Sequence, residues 1–176
     1  MKRTSAQPAS LSVIQIVDDH DQPLGEAPKE VVWRGGLKHR IVMIMIEDEN
    51  GELLLQKRSA SVDILPNTWD YSAAGHMEAG ESYEQAAHRE LKEEVGIDAP
   101  LKEIAYFRTN DVIKGRKLNR FNRLYKGRIP HATKLRADAA EVSAEQWFPR
   151  AVIKQMIADH PEQFTPGFRR VFSEYY

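Results

Sequence analysis

The segment from Gly75 to Ile97, GHMEAGESYEQAAHRELKEEVGI, constrains this chain more than any other, because it sets a glycine-bounded loop directly before a helix that ends in acids. Ser82 with Gln85 three residues on is a capping-box pair, and Gly96 stands where a left-handed residue closes a helix. The spacing predicts a helix from about Tyr83 to Val95. At about 100° per residue, Tyr83, Ala87, Leu91 and Val95 form one apolar stripe, with Glu90, Glu93 and Glu94 on its flank. Glu90 and Glu94 are like-charged i,i+4 neighbours, and all three acids lie near the negative end of the helix dipole. Lys92 points away and Arg89 brings a single charge. A divalent cation held by hard carboxylate oxygens is the expected counter-charge, with magnesium or manganese the best fit. An isolated ELKEE would instead read as a solvated, Glu-rich helix face.

The complete spacing outweighs that plainer reading. Gly75, five residues, Glu81, seven residues, Arg89-Glu90-Leu91, one residue, Glu93-Glu94, one residue and Gly96-Ile97 match every fixed position of a known motif. On these residues the chain resembles the Nudix hydrolase family. The resemblance implies an α/β Nudix fold, a mixed β-sheet sandwiched between helices, with a divalent-metal site and hydrolysis of a diphosphate linkage. It makes Glu90 and Glu94 the main metal ligands. Glu93 becomes a third ligand or the base that orients water, and the Gly75 carbonyl a further ligand. Glu81 and Arg89 fall where the family pairs an acid with an arginine, bracing the loop against the helix.

The motif spans 23 of 176 residues, and the remainder reads as one ordinary globular domain. Residues 1–10, MKRTSAQPAS, lack the apolar core of a signal peptide and read as a flexible tail before a domain at 11–176. A net charge of −1 argues against bulk nucleic-acid binding, and no apolar run reaches the roughly 18 residues of a membrane span. Zero cysteines exclude disulfides, thiolate metal sites and a cysteine nucleophile, which suits a cytoplasmic setting. A small-molecule diphosphate is the expected partner, with a homodimer left open.

Along the chain, LSVIQIV reads as a strand from Leu11 to Val17, and Pro28 to Trp33 as a brief helix stopped by Gly35-Gly36. HRIVMIMIEDENGELLLQKR reads as a hairpin turning at Asn50-Gly51, its first strand apolar enough to be buried on both faces. A proline loop from Ser59 to Thr68 precedes TWDYSAAGH, a short strand that delivers Gly75 to the acids. Two strands about a turn at Lys114-Gly115, a strand near Gln146-Trp147-Phe148 and a helix from about Arg150 to Asp159 complete the expected pattern.

Outside the motif, GLKHR and WDYSAAGHMEAGES resemble the Nudix proteins related to type I isopentenyl-diphosphate isomerase. The isomerase cysteine would stand at Ala74, and its late acid-asparagine-acid pattern reads here as Leu118-Asn119-Arg120. The isomerase chemistry has lost its parts, whereas the hydrolase motif is intact. His39 and His76 match positions that bind metal in the isomerase, although a lone histidine more often serves as a hydrogen-bonded structural group. Glu141 and Asp138 are candidates for an extra carboxylate, against the plainer reading of solvated surface acids. Arg108, Lys114, Arg116, Lys117, Arg120 and Arg123 concentrate positive charge on one predicted hairpin, which would hold phosphates or simply face solvent. Arg108 and Arg120, with His39 and His76, are the candidate substrate contacts. Trp33, Trp69 and Tyr71 would stack on a base or belong to the core. An isomerase-like enzyme and a non-catalytic ligand-binding module are the alternatives to a hydrolase.

Overall fold

The run IVMIMI, Ile41 to Ile46, is apolar at every position, as a strand covered on both faces must be, and it forms the middle of the strand on which the others are laid. The computed structural model describes residues 13–176; the expected tail at 1–10, and the first two residues of the expected opening strand, lie outside them. In chain order the elements are β1 (Val13–Val17), β2 (Pro23–Pro28), α1 (Lys29–Gly35), β3 (His39–Glu47), β4 (Leu53–Arg58), β5 (Trp69–Asp70), β6 (Ala73–His76), α2 (Tyr83–Glu94), β7 (Leu101–Ile113), β8 (Arg116–Arg128), β9 (Val142–Phe148), α3 (Arg150–Asp159) and α4 (Pro166–Tyr175).

Strand β3 pairs in parallel with β8 from His39↔Arg120 to Glu47↔Arg128, and antiparallel with β6 through Ile41↔His76, Val42↔Gly75, Met43↔Ala74 and Ile44↔Ala73. Strand β7 continues beyond β8, and β4 carries β9 and β5. The sheet is therefore mixed. Because side chains alternate across a strand, Val42, Ile44 and Ile46 go to one face, where they meet Tyr83, Ala86, Ala87, Leu91 and Val95 of the α2 layer. Ile41, Met43 and Met45 go to the other and meet Ile153 of α3 and Phe168, Val171 and Phe172 of α4. The result is the expected sandwich of helices about a mixed sheet.

The helix α4 lies beyond the last expected element. Thr165 caps it by accepting from the Phe168 N–H at 3.2 Å, Pro166 opens it, and Phe164, Phe168 and Phe172 stack in succession. The expected single strand TWDYSAAGH is two short ones, since Ser72 breaks the ladder to accept from the Ile46 N–H and to donate to the Leu54 carbonyl.

Candidate active site

The capping box forms as the sequence predicts: Ser82 Oγ accepts from the Gln85 N–H at 3.2 Å, and Gln85 Oε1 accepts from the Ser82 N–H at 2.8 Å. With its start fixed and its apolar stripe buried, α2 turns Glu90 and Glu94 toward the unpaired edge of β6. Glu94 Oε2 accepts from the Ala74 N–H at 3.0 Å and from Gln56 Nε2 at 2.9 Å. Glu90 lies so close to β6 that a Cβ at Gly75 would stand 2.0 Å from its carboxyl carbon. A side chain at 75 would have to displace the Glu90 carboxyl from this place, and no left-handed backbone angle is involved, so the loop and the acids of the motif are fitted to each other.

Arg89 joins the rest. Its Nε and Nη2 reach Glu81 at 2.6 and 3.0 Å, its Nη1 reaches Glu90 at 2.8 Å and Glu93 at 3.0 Å, and its Nη2 also donates to the His76 carbonyl at 2.9 Å. Glu81 in turn accepts from the Glu78 N–H. Arg89 therefore carries one positive charge against Glu81, Glu90 and Glu93, and Glu94 has none beside it. Burial pushes the Glu90 carboxyl up to about 7, partly opposed by Arg89. Burial, then the Glu90 charge, raises Glu94 as well, and Glu141 acts on both in the same direction. Two buried acids with Glu90 Oε2 and Glu94 Oε1 uncommitted are a donor set suited to a hard divalent cation.

A cleft of about 910 Å³ opens from these acids. It brings together Gly75, His76, Arg89, Glu90, Glu93, Glu94 and Glu141 with His39 and Arg120, and crosses the sheet face opposite α2. The rings of His39 and His76 stack at 5.3 Å. Burial holds His39 down to about 4, and its Nδ1 bonds the Leu37 carbonyl at 2.9 Å while its buried Nε2 has no partner among the described residues. Burial, then the neighbouring His39, lowers His76 as well. Both rings are neutral near pH 7.

Other expected contacts fall elsewhere. Arg108 is not in the cleft; it bonds Asp19 at 3.3 Å and lies over Phe121, because side chains alternate along β7 and turn it away. The hairpin charges do not share one face either: Arg116 bonds Glu30 and Asp63, and Arg123 bonds Glu103. Of the aromatic candidates, Trp69 is a core residue outside the cleft, whereas the buried Trp33 and Tyr71 line it, and Lys29 and Arg116 each lie within 4.9 Å of the Trp33 ring centroid. Asp138 is exposed and outside the cleft. Gln56, Arg58, Asp70, Asp111 and Arg170, which no local sequence motif marks, reach the acids or the cleft only through tertiary contacts. A separate group, Asp48, Glu52 and His131, gathers ligand atoms within 4.8 Å at the β3–β4 turn, but Asp48 is already engaged by the Asn50 and Glu52 N–H groups and by His131.

A sequence model of the NUDIX domain matches residues 37–168. The chain belongs to the Nudix hydrolase family. It is 32% identical over 162 residues to isopentenyl-diphosphate Δ-isomerase 2 of Photorhabdus laumondii, covering 92% of this chain and 90% of that one. It is 29% identical over 168 residues to a prenyl-diphosphate phosphatase of Methanosarcina mazei, covering 92% and 96%. In fold this Nudix protein matches a Deinococcus radiodurans crystal structure with a TM-score of 0.77 at 21% identity, covering 94% of this chain and 99% of that one. No helix among the described residues is long and apolar enough to cross a membrane.

Proposed function

We propose that this Nudix enzyme hydrolyses a diphosphate linkage in a small organic diphosphate, with a divalent cation, magnesium or manganese, held by Glu90 and Glu94. The observation that carries this reading is the fit of Gly75 to Glu90, with Glu94 bonded to the next N–H along the same strand edge. Nothing about a passive fold requires two acids to be buried side by side there, and burying them costs stability unless charge opposes them. The cation, when bound, neutralises phosphate charge and lowers the pKa of water. Arg89 holds the carbonyl of His76, at the end of β6, and the acids in one frame. Glu93, 61% exposed at its side chain and tied to Arg89, is a poorer proton acceptor than its position in the motif suggests. Glu141, also exposed, lines the cleft and acts electrostatically on both buried acids, which makes it a second group able to accept the proton of the attacking water.

The substrate is drawn from nucleoside diphosphate derivatives and related organic diphosphates. The Methanosarcina relative adds prenyl diphosphates to the set worth testing first. The likeness to an isomerase carries no isomerase reading, since Ala74 offers no nucleophile. The decisive experiment incubates the protein with nucleoside di- and triphosphates, nucleotide sugars, dinucleotides and prenyl diphosphates, with magnesium or with chelator, and identifies products by mass in ¹⁸O water. Magnesium-dependent incorporation of ¹⁸O into a phosphate product is expected. Turnover undiminished in chelator would refute metal dependence, and no turnover across the panel would refute the hydrolase reading.

A further inference from the structure

At the end of the cleft away from the acids, Asp111 of β7 accepts from two arginines that belong to different elements. Arg120 Nη2 of β8 stands 2.7 Å from Asp111 Oδ2, and Arg170 Nη2 of α4 stands 3.0 Å from Asp111 Oδ1. All three line the cleft. One carboxylate between two guanidinium groups leaves a surplus positive charge. Each guanidinium has five donors and gives Asp111 only one, and the buried Nε of Arg120 has no partner among the described residues.

The position of this group relative to the acids follows from strand register. His76 of β6 is opposite Ile41 of β3, and His39 of β3 is opposite Arg120 of β8. Arg120 is therefore two strand spacings from β6, about 10 Å across the sheet, and the long guanidinium arms shorten that gap. Arg170 is carried by a helix anchored independently through Phe168, and it lies two residues past the end of the matched Nudix segment at 168.

We propose that Arg120 and Arg170, positioned by Asp111, form an anion-binding subsite that grips a phosphoryl group of the substrate other than the one at Glu90 and Glu94. This rests on the hydrolase reading in that it takes the cleft's occupant to be a phosphate-bearing molecule. Two guanidinium groups converging from a strand and a helix offer the forked geometry that phosphoryl oxygens accept best. As a mere strap the Arg170–Asp111 pair would do little, because ion pairs with a side chain 42% exposed add little to stability.

The test measures inorganic pyrophosphate binding by titration calorimetry, in chelator and at low salt, for the wild type, Arg170→Gln, Arg170→Lys and Glu94→Gln. The wild type should bind, Arg170→Gln should weaken binding about tenfold or more, as expected for loss of a charge-assisted bond, and Arg170→Lys should recover part of it. Glu94→Gln should bind as well as the wild type or better. On any substrate the wild type turns over, Arg170→Gln should raise KM with little change in kcat. Unchanged pyrophosphate affinity in Arg170→Gln would overturn the subsite, and so would a wild type that binds none without metal. If the wild type hydrolyses nothing yet loses pyrophosphate binding on Arg170→Gln, the hydrolase reading fails and the subsite stands.

Discussion

Two side chains one helical turn apart, Glu90 and Glu94, separate a metal-site reading from a Glu-rich surface. Glu84 belongs to the same helix but is exposed in its first turn. Glu94→Gln preserves size and removes charge, so hydrolysis should fall on the order of a hundredfold or more, the scale of losing a key electrostatic group. Glu84→Gln should leave turnover essentially unchanged. Comparable activity in the two variants, both folded by circular dichroism, would place the metal elsewhere. Ala74 permits a second test at this scale. Incubation with isopentenyl diphosphate should yield no dimethylallyl isomer by NMR, because no thiol or other nucleophile stands at that position. The acids, Gly75 and the Arg89–Glu81 pair were legible because their spacing is local: a helix period and a loop length bring them together. Asp111 and Arg170 were not legible, being 59 residues apart and joined only when α4 packs beside β7.

At the scale of elements, the helix that the sequence reading passed over carries much of one core. Phe168 is fully buried, stacks on Phe164 and Phe172 at 5.6 and 5.8 Å, and meets Tyr71 edge-on at 5.8 Å. Phe168→Ala should cost about 3–5 kcal/mol, lowering Tm by roughly 6–20 °C for a domain of this size. A shift under 2 °C in calorimetry would mean that α4 is not part of the cooperative unit. Its signals were present in the letters: a Thr cap, a proline at the first helical position, and aromatics four residues apart. The expected pattern stopped at Asp159, before them. The β3–β4 hairpin and α2 were readable because turn chemistry and capping are local, whereas the parallel pairing of β3 with β8 is set by distant packing and leaves no local mark.

For the molecule as a whole, the buried acids make stability depend on pH and metal together. Glu90 titrates near 7 when folded against an ordinary 4.5. Between those values the native state keeps a proton that the unfolded chain releases, so the Glu90 contribution to the stability of the metal-free protein is lost as pH rises from about 4.5 to about 7, while the buried, neutral His39 and His76 act in the opposite sense. A cation held by Glu90, as proposed, would have to displace that proton, and its binding would therefore be favoured as pH rises. The increase in Tm on adding magnesium should be larger at pH 7.5 than at pH 5.5, and the trend should weaken in Glu90→Gln. An increment independent of pH would show that the cation does not compete with this proton. The β3–β8 register also governs assembly in time. Partners such as His39 and Arg120 are 81 positions apart, and the whole acid-bearing helix lies in the loop between them. Pairings this distant close slowly. A chain emerging from the ribosome completes α2 well before β8, so the apolar face of Val42, Ile44 and Ile46 has its helix at hand but lacks its parallel neighbour until Arg128 has been made. During that interval the strand at the centre of the finished sheet is an open edge, and nascent chains stalled before β8 should be the ones that chaperones hold.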